Sequence, residues 1–407
     1  MSQYSTRQGV DTPGADEAVY RVMIADDSAF IRGAMARALE NDPNLQILVS
    51  VSNGDQAVKA LRRNPVDVIV LDIEMPIMDG MTALPLLKSI DPAVQIIMAS
   101  TLTQKNAEIS LRAMSLGATD YIPKPTTSRE IMGAEEFKRQ LVEKVKALGA
   151  LARRSGVRLP DSRKELTDEL RSPSPGAAIK EKILPRVEKT SGLRERAMPT
   201  IYQDKKVVLR TVPIFCPKII AIGSSTGGPQ TLFRVIKDMG TLSQPVVITQ
   251  HMPPSFTAIL ADHISRQCEV KCKEAQEDDV LEPGNYYVAP GDYHMVIESH
   301  DNVSCIKLVK GPLENFCRPS VDPMLRSLIG IYGKKILAVI LTGMGQDGLK
   351  GCDLVVKGGG AVIAQDEATS VVWGMPGAVA TAGLCSAILP ADEIGGFVRE
   401  KAMGLVT

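Results

Sequence analysis

Three side chains in glycine-rich or proline-rich loops after apolar runs carry the clearest chemical potential in this sequence. Lys218-Ile219-Ile220 leads directly into Ala221-Ile222-Gly223-Ser224-Ser225-Thr226-Gly227-Gly228. A β-branched run broken by Gly-Ser-Ser-Thr-Gly-Gly predicts a strand end, a tight turn and a helix start. Gly223 to Gly227 also spell G-x-S-x-G, which stands Ser225 proud of a sheet beside a helix N-terminus. A serine hydroxyl is inert near neutral pH unless a base takes its proton. The histidines His251, His263, His294 and His300 all lie in the C-terminal half. His251 is the best placed, because the apolar run Val246–Thr249 ends in Gln250-His251-Met252-Pro253-Pro254. A third apolar run, Leu337–Leu341, ends in Thr342-Gly343-Met344-Gly345-Gln346-Asp347-Gly348. Three strand ends would thus deliver a nucleophile (Ser225), a base (His251) and an orienting carboxylate (Asp347) to one sheet edge. The glycines around Met344 would let a backbone N–H approach closely as an oxyanion donor. His294, in Pro290-Gly291-Asp292-Tyr293-His294, is a lesser candidate for a substrate contact.

Each of these residues also has a plainer use: Ser225 or Asp347 as a helix cap, His251 as a loop hydrogen-bonder. The glycine turn has a rival reading as a dinucleotide cradle. Its spacing is not G-x-G-x-x-G, and the second strand ends in Gln250-His251 with no acid for a ribose hydroxyl. The order Ser, His, Asp also differs from the Ser, Asp, His of α/β-hydrolases.

A second constellation lies in the first third of the chain. Asp26 and Asp27 follow an apolar run; Asp72 ends Val68-Ile69-Val70-Leu71; Ser100 ends a fourth run and Lys124 follows a fifth. In an open parallel sheet all five would gather beyond the carboxyl ends of the strands. Three carboxylates suit Mg²⁺, which prefers a few oxygen ligands plus phosphate. Lys124 and the ion would neutralise a transferring phosphoryl group that Asp72 attacks. Ser100 would donate to the new phosphoryl oxygens, and Tyr121 is placed to swing with it.

The elements that must position these groups alternate regularly. Strands are expected at 21–25, 46–51, 66–71, 95–99 and 119–122, with helices at 28–40, 54–63, 80–90, 105–116 and 134–148. Five strands separated by helices predict a parallel sheet covered on both faces. After a polar tail (1–19) and this unit (20–148), residues 149–213 change texture. Residues 150–212 hold 15 Lys and Arg against 8 Asp and Glu, with no aromatic before Tyr202. Such a stretch buries too little apolar surface to offset its ordering entropy and is expected to be a linker. Alternation resumes over 214–407, with strands at 218–222, 246–250, 336–341 and 361–364. Helices are expected at 228–238, 255–266, 321–331, 347–357 and 391–402. Between them, residues 269–311 look like antiparallel hairpins inserted in a second, doubly wound α/β domain.

Composition narrows the class. The 407 residues are 44% apolar, ordinary for globular domains, and the formal net charge is zero, which does not advertise nucleic-acid binding. The polar N-terminus and the lack of a long apolar run predict a cytoplasmic protein that does not insert in a membrane. Seven cysteines, an odd number, are then free thiols, and no second pair joins Cys268 and Cys272 to make a zinc set.

Two families share these motifs. Residues 20–148 resemble the receiver domains of two-component response regulators. The likeness runs through Ala25-Asp26-Asp27-Ser28, Leu71-Asp72-Ile73-Glu74-Met75-Pro76-Ile77-Met78-Asp79-Gly80, Ala99-Ser100-Thr101 and Lys124-Pro125. The resemblance implies a flavodoxin-like fold, Asp72 phosphorylated by a histidine kinase, Mg²⁺ on Asp26 and Asp27 with Asp72, and Ser100 and Tyr121 as switch residues. Residues 217–400 resemble the catalytic domain of chemotaxis protein-glutamate methylesterases. That likeness rests on the Ser225 turn, Thr249–Phe256, Val288–Asp292, Arg318-Pro319-Ser320-Val321-Asp322, Leu341–Gly348 and Gly374-Met375-Pro376. It implies a serine hydrolase acting on γ-glutamyl methyl esters and on glutamine amides of chemoreceptors, with phosphorylation releasing the serine site. Ser225, His251 and Asp347 would react, amides at Thr226 and Met344 would hold the oxyanion, no cofactor would be needed at the serine, and Arg318 would steer an acidic receptor helix. A receptor-binding regulator without chemistry is the alternative; a DNA-binding regulator is disfavoured, since no helix-turn-helix-like basic stretch follows the receiver.

Overall fold

The computed structural model describes residues 19–101, 103–124, 135–154 and 207–405. Nearly all of the expected tail, and most of the expected linker, lie outside the described residues. Strands β1 (Tyr20–Ala25), β2 (Leu45–Val51), β3 (Val68–Asp72), β4 (Gln95–Ser100) and β5 (Asp120–Pro123) form one sheet. Its order is β2-β1-β3-β4-β5, and every pairing is parallel. The run Val68–Leu71 has no exposed side chain, as expected for a central strand with helices on both faces. Local capping sets the helix starts: Ser28, Asn53, Asp79 and Thr103 each accept a backbone N–H in the first turn of the helix that follows. The last helix of this unit runs over Glu135–Arg154, past the expected end at Leu148.

The second sheet has seven strands. They are β6 (Ile219–Ser224), β7 (Val246–Gln250), β8 (Lys271–Glu274), β9 (Asn285–Val288), β12 (Ile336–Ile340), β13 (Ala361–Gln365) and β14 (Ala387–Leu389). Their order is β14-β13-β12-β6-β7-β9-β8, again wholly parallel. Only β10 (His294–His300) and β11 (Val303–Val309) make the expected antiparallel hairpin. Tyr286–Ala289, expected in that hairpin region, instead extends the main sheet beside β7. Tyr286, Tyr287 and Val288 are all buried, so this run needs cover on both faces, which a two-stranded ribbon does not give. The helix Met375–Thr381 and strand β14 are absent from the expected set.

The two units touch. Tyr121 of β5 stacks on Phe256, with ring centroids 4.7 Å apart and 16° between planes. Gln230 Nε2 donates to the carbonyls of Ala118 (3.0 Å) and Thr119 (3.3 Å). Arg154 donates to the Ser370 carbonyl at 3.1 Å, and the Arg139 guanidinium lies 4.3 Å from the centre of the Phe316 ring. Buried apolar side chains run without a break from Met114, Ala118 and Tyr121 to Phe256 and Leu260.

Candidate functional site

Each sheet reverses its winding once, and the candidate residues sit at those two places. In the seven-stranded sheet β6 lies between β12 and β7, so the crevice at its carboxyl end is a topological switch point. The register pairs Ser224 with Gln250, and the His251 amide continues it by donating to the Ser224 carbonyl at 3.1 Å. Ser225 and His251 therefore leave neighbouring strands side by side. Of the two adjacent serines, Ser224 is fully buried and donates to Gln250 Oε1 at 2.6 Å. Ser225 is half-exposed, and its hydroxyl makes no hydrogen bond among the described residues. Gly227 holds φ 72° at the start of helix Gly228–Met239, a conformation that suits glycine. At Gly343 a Cβ would lie 2.8 Å from Ser225 Cβ, so only glycine lets the β12 loop approach the serine.

Asp347 is 1% exposed and collects donors from four segments. His251 Nε2 lies 2.7 Å from Oδ2, and the Val321 amide donates to the same oxygen at 2.6 Å. Oδ1 accepts from Ser320 Oγ (2.7 Å), Asn315 Nδ2 (2.8 Å), the Gly348 amide (2.8 Å) and the Asp322 amide (3.2 Å). Asp347 thus caps the positive end of helix Val321–Tyr332, not the helix that follows it. Burial alone would raise the Asp347 pKa, but the bond and charge of His251, then Val321 and Ser320, bring it down to about 2. Burial alone would lower that of His251; the neighbouring Cys317 and Asp347 outweigh it and hold the imidazole well above its usual range, at about 10. Thr226 and Met344 flank the serine in their loops, and among the described residues neither amide donates a hydrogen bond within the chain.

Three contacts were not legible from residue spacing. Cys317 Sγ lies 3.4 Å from His251 Nδ1. Asn315 and Ser320 fix the Asp347 carboxylate, and Ser320 lies in the Arg318–Asp322 motif of the family resemblance, which assigns it no contact with Asp347. Two expected roles take a different form. His294 is buried, accepts from the Ser320 amide at Nδ1 (3.2 Å) and has Nε2 2.9 Å from the Pro312 carbonyl, so it staples loops and is closed to substrate. Arg318 is tied to the Asp292 carboxylate and the Gly311 carbonyl, which leaves its guanidinium engaged within the chain.

In the five-stranded sheet the switch point lies between β1 and β3, where Asp26, Asp27 and Asp72 converge. One oxygen of each lies within 4.8 Å of the others. Hard carboxylate donors at that separation fit a small divalent cation such as Mg²⁺. Lys124 Nζ lies 2.6 Å from both Asp26 Oδ2 and Asp72 Oδ1. Burial pushes the Asp72 pKa up to about 6 against the pull of Lys124. Ser100 is buried and accepts from Ser110 Oγ at 3.2 Å. Tyr121 is buried under Phe256, its hydroxyl pushed well above its usual range by burial and by Asp120.

Comparison with known proteins gives two family matches. Residues 220–398 match CheB methylesterase, and residues 22–135 match the response regulator receiver domain. The chain is 54% identical over 407 residues to the protein-glutamate methylesterase/protein-glutamine glutaminase of group 2 operon of Rhodospirillum centenum, covering 99% of each chain. It is 54% identical over 384 residues to the protein-glutamate methylesterase/protein-glutamine glutaminase of Azospirillum brasilense, covering 94% of this chain and 92% of that one. Among solved structures, the Thermotoga maritima CheB methylesterase catalytic domain is 41% identical, covers 46% of this chain and 99% of its own, and has a TM-score of 0.44.

Proposed function

The chain belongs to the CheB methylesterase family with a receiver domain in front, and we propose that Ser225, His251 and Asp347 are the reacting groups of its protein-glutamate methylesterase and protein-glutamine glutaminase activity. Ser225 Oγ attacks the γ-carbonyl of a glutamate methyl ester while His251 accepts its proton. Asp347 holds the imidazole through Nε2 and stabilises its charged form. The Thr226 and Met344 amides donate to the oxyanion. The tetrahedral intermediate collapses, and methanol leaves with the proton that His251 held. Water then attacks the acyl-enzyme by the same route in reverse, giving glutamate and free Ser225. A glutamine amide follows the same path and loses ammonia.

The substrate is a methylated chemoreceptor and the phosphodonor a histidine kinase. Asp72 accepts the phosphoryl group, with Asp26, Asp27 and Asp72 as the residues that would hold Mg²⁺ and Lys124 opposite them. Mg²⁺, when bound, supplies positive charge against the transferring group. Ser100 and Tyr121 then move, which disturbs the Tyr121–Phe256 stack and the Gln230 bonds that hold the receiver against the catalytic unit. Seven free thiols fit a cytoplasmic location.

The observation that carries this reading is the His251–Asp347 pair at 2.7 Å, set beside Ser225, the half-exposed serine of the glycine turn. The test is methanol release from methylated receptor fragments by Ser225→Ala, Ser224→Ala and wild type. Ser225→Ala should lose roughly 10⁴–10⁶ in rate, and Ser224→Ala should retain most of it. A binding module without chemistry would release no methanol in any of the three.

A further inference from the structure

Both ring nitrogens of His251 are engaged. Nε2 lies 2.7 Å from Asp347 Oδ2, and Nδ1 lies 3.4 Å from Cys317 Sγ. A triad base needs one nitrogen on its carboxylate and the other on the serine. Here the second nitrogen faces a thiol, and Ser225 Oγ bonds to neither.

Cys317 reaches that nitrogen through a built turn. Glu314 and Cys317 exchange both backbone hydrogen bonds, at 3.2 and 2.9 Å. Between them Asn315 (φ 52°) and Phe316 (φ 62°) are both left-handed, as a two-residue type I′ turn requires. Its residues point in different directions. Asn315 Nδ2 donates to Asp322 Oδ2 at 3.0 Å and to Asp347 Oδ1 at 2.8 Å. Phe316 projects outward, 64% exposed, with the Arg139 guanidinium of the receiver's last helix 4.3 Å from its ring centre. Cys317 turns in to the imidazole. Three consecutive residues therefore touch the orienting carboxylate, the receiver unit and the base.

We infer that Cys317 is a positioning residue: its thiol occupies the His251 nitrogen that Ser225 needs, and Arg139 on Phe316 keeps the turn seated in that arrangement. The inference rests on the serine-hydrolase reading above. When the receiver withdraws, the turn loosens and the Ser225 hydroxyl replaces the thiol at Nδ1. No bond other than a hydrogen bond is exchanged. The device acts on the base itself and is separable from simple covering of the serine.

The titratable groups that face the ring are Asp347, from the loop after β12, and Cys317, from the turn. With Nδ1–H donating to Cys317 Sγ and Nε2–H to Asp347 Oδ2, both partners favour the protonated imidazole, which cannot act as a base. Removing Cys317 should therefore make His251 easier to deprotonate.

The experiment measures kcat and KM for methanol release by the full chain across pH, with and without an acyl phosphate. The proteins are wild type, Cys317→Ala, Cys317→Ser and Ser225→Ala. In the unphosphorylated Cys317→Ala protein the acid limb of kcat/KM should move to lower pH by about one unit, a roughly tenfold gain on that limb. The gain should appear in kcat with KM unchanged, and it should shrink after phosphorylation. Cys317→Ser, which keeps a hydrogen-bonding group, should fall between; it also carries the test if the alanine variant fails to fold. An acid limb that overlays wild type in the folded variants overturns the inference. Activity that survives Ser225→Ala would instead sink the hydrolase reading, so the two failures are distinguishable.

Discussion

Asp347, in the loop after β12, and Asp72, at the end of β3, are both buried carboxylates, and their surroundings drive them in opposite directions. Asp347 gathers amides, a hydroxyl, a side-chain amide and an imidazole, and is held down to about 2. Asp72 has Lys124 and a weak 3.4 Å bond from the Glu74 amide, so burial wins and its pKa rises from 3.8 to about 6. An acid whose folded pKa exceeds its unfolded value opposes folding once ionised. The penalty is absent below about pH 4 and complete above about pH 6, and a rise of two units corresponds to about 3 kcal/mol. With Mg²⁺ chelated, Asp72→Asn should therefore raise receiver stability by about 2–3 kcal/mol at pH 7 and leave it unchanged near pH 4. Urea unfolding at the two pH values checks this; equal midpoints at pH 7 would contradict it. Both aspartates were legible in the sequence, because Asp72 closes an apolar run and Asp347 lies in the short glycine-rich loop that follows one, which places both at a sheet edge. Their charge states were not: that of Asp72 is set by the depth of its burial against Lys124, and that of Asp347 by His251, Val321 and Ser320, which no spacing ties to position 347.

At the scale of elements, the strands buried on both faces were the clearest, because a run such as Val68–Leu71 admits few other uses. The helix Met375–Thr381 was hidden for the opposite reason: it is seven residues long and mostly buried, so it carries no amphipathic stripe. β9 reads as part of a hairpin in the sequence because Pro283-Gly284 before it resembles a hairpin turn, whereas it forms a further parallel strand beside β7. Contacts between the units were beyond the sequence altogether. Gln230, on the helix after the serine turn, donates to two receiver carbonyls, while its own Oε1 is buried without a partner. Its net contribution is that of one good hydrogen bond, about 1 kcal/mol. Gln230→Ala should shift the balance toward the undocked form by roughly fivefold. Methanol release by the unphosphorylated protein should rise by about that factor, with the phosphorylated rate unchanged. A flat response would mean that this contact does not restrain the enzyme.

Over the whole molecule, the receiver's docking raises the question of how much of the remainder stands alone without it. The apolar pattern suggests a cut just before Lys218, where alternation resumes. The structure ties earlier residues into the catalytic unit. Arg210 N donates to the Cys385 carbonyl at 2.8 Å, and Phe215 is buried at 9% exposure. Lys401, with no exposed surface, donates to the Pro213 carbonyl at 2.6 Å and lies over the Phe215 ring. Burial already lowers the Lys401 pKa, so its neighbours are what make a charged amine tolerable there. A chain beginning at Lys218 loses the Phe215 burial, about 2 kcal/mol, and a hydrogen bond to a charged group, about 1.5–3 kcal/mol. A chain beginning at Val207 keeps both. The longer fragment should unfold cooperatively and release methanol at a rate that no acyl phosphate increases, since Asp72 and the docking face are gone. The shorter one should be less stable by about 3–5 kcal/mol and equally active per folded molecule. Urea midpoints and turnover on the same two preparations decide the matter. Equal midpoints would show that residues 207–217 merely lie on the surface, and a low rate in both fragments would show that the receiver completes the site and does not restrain it.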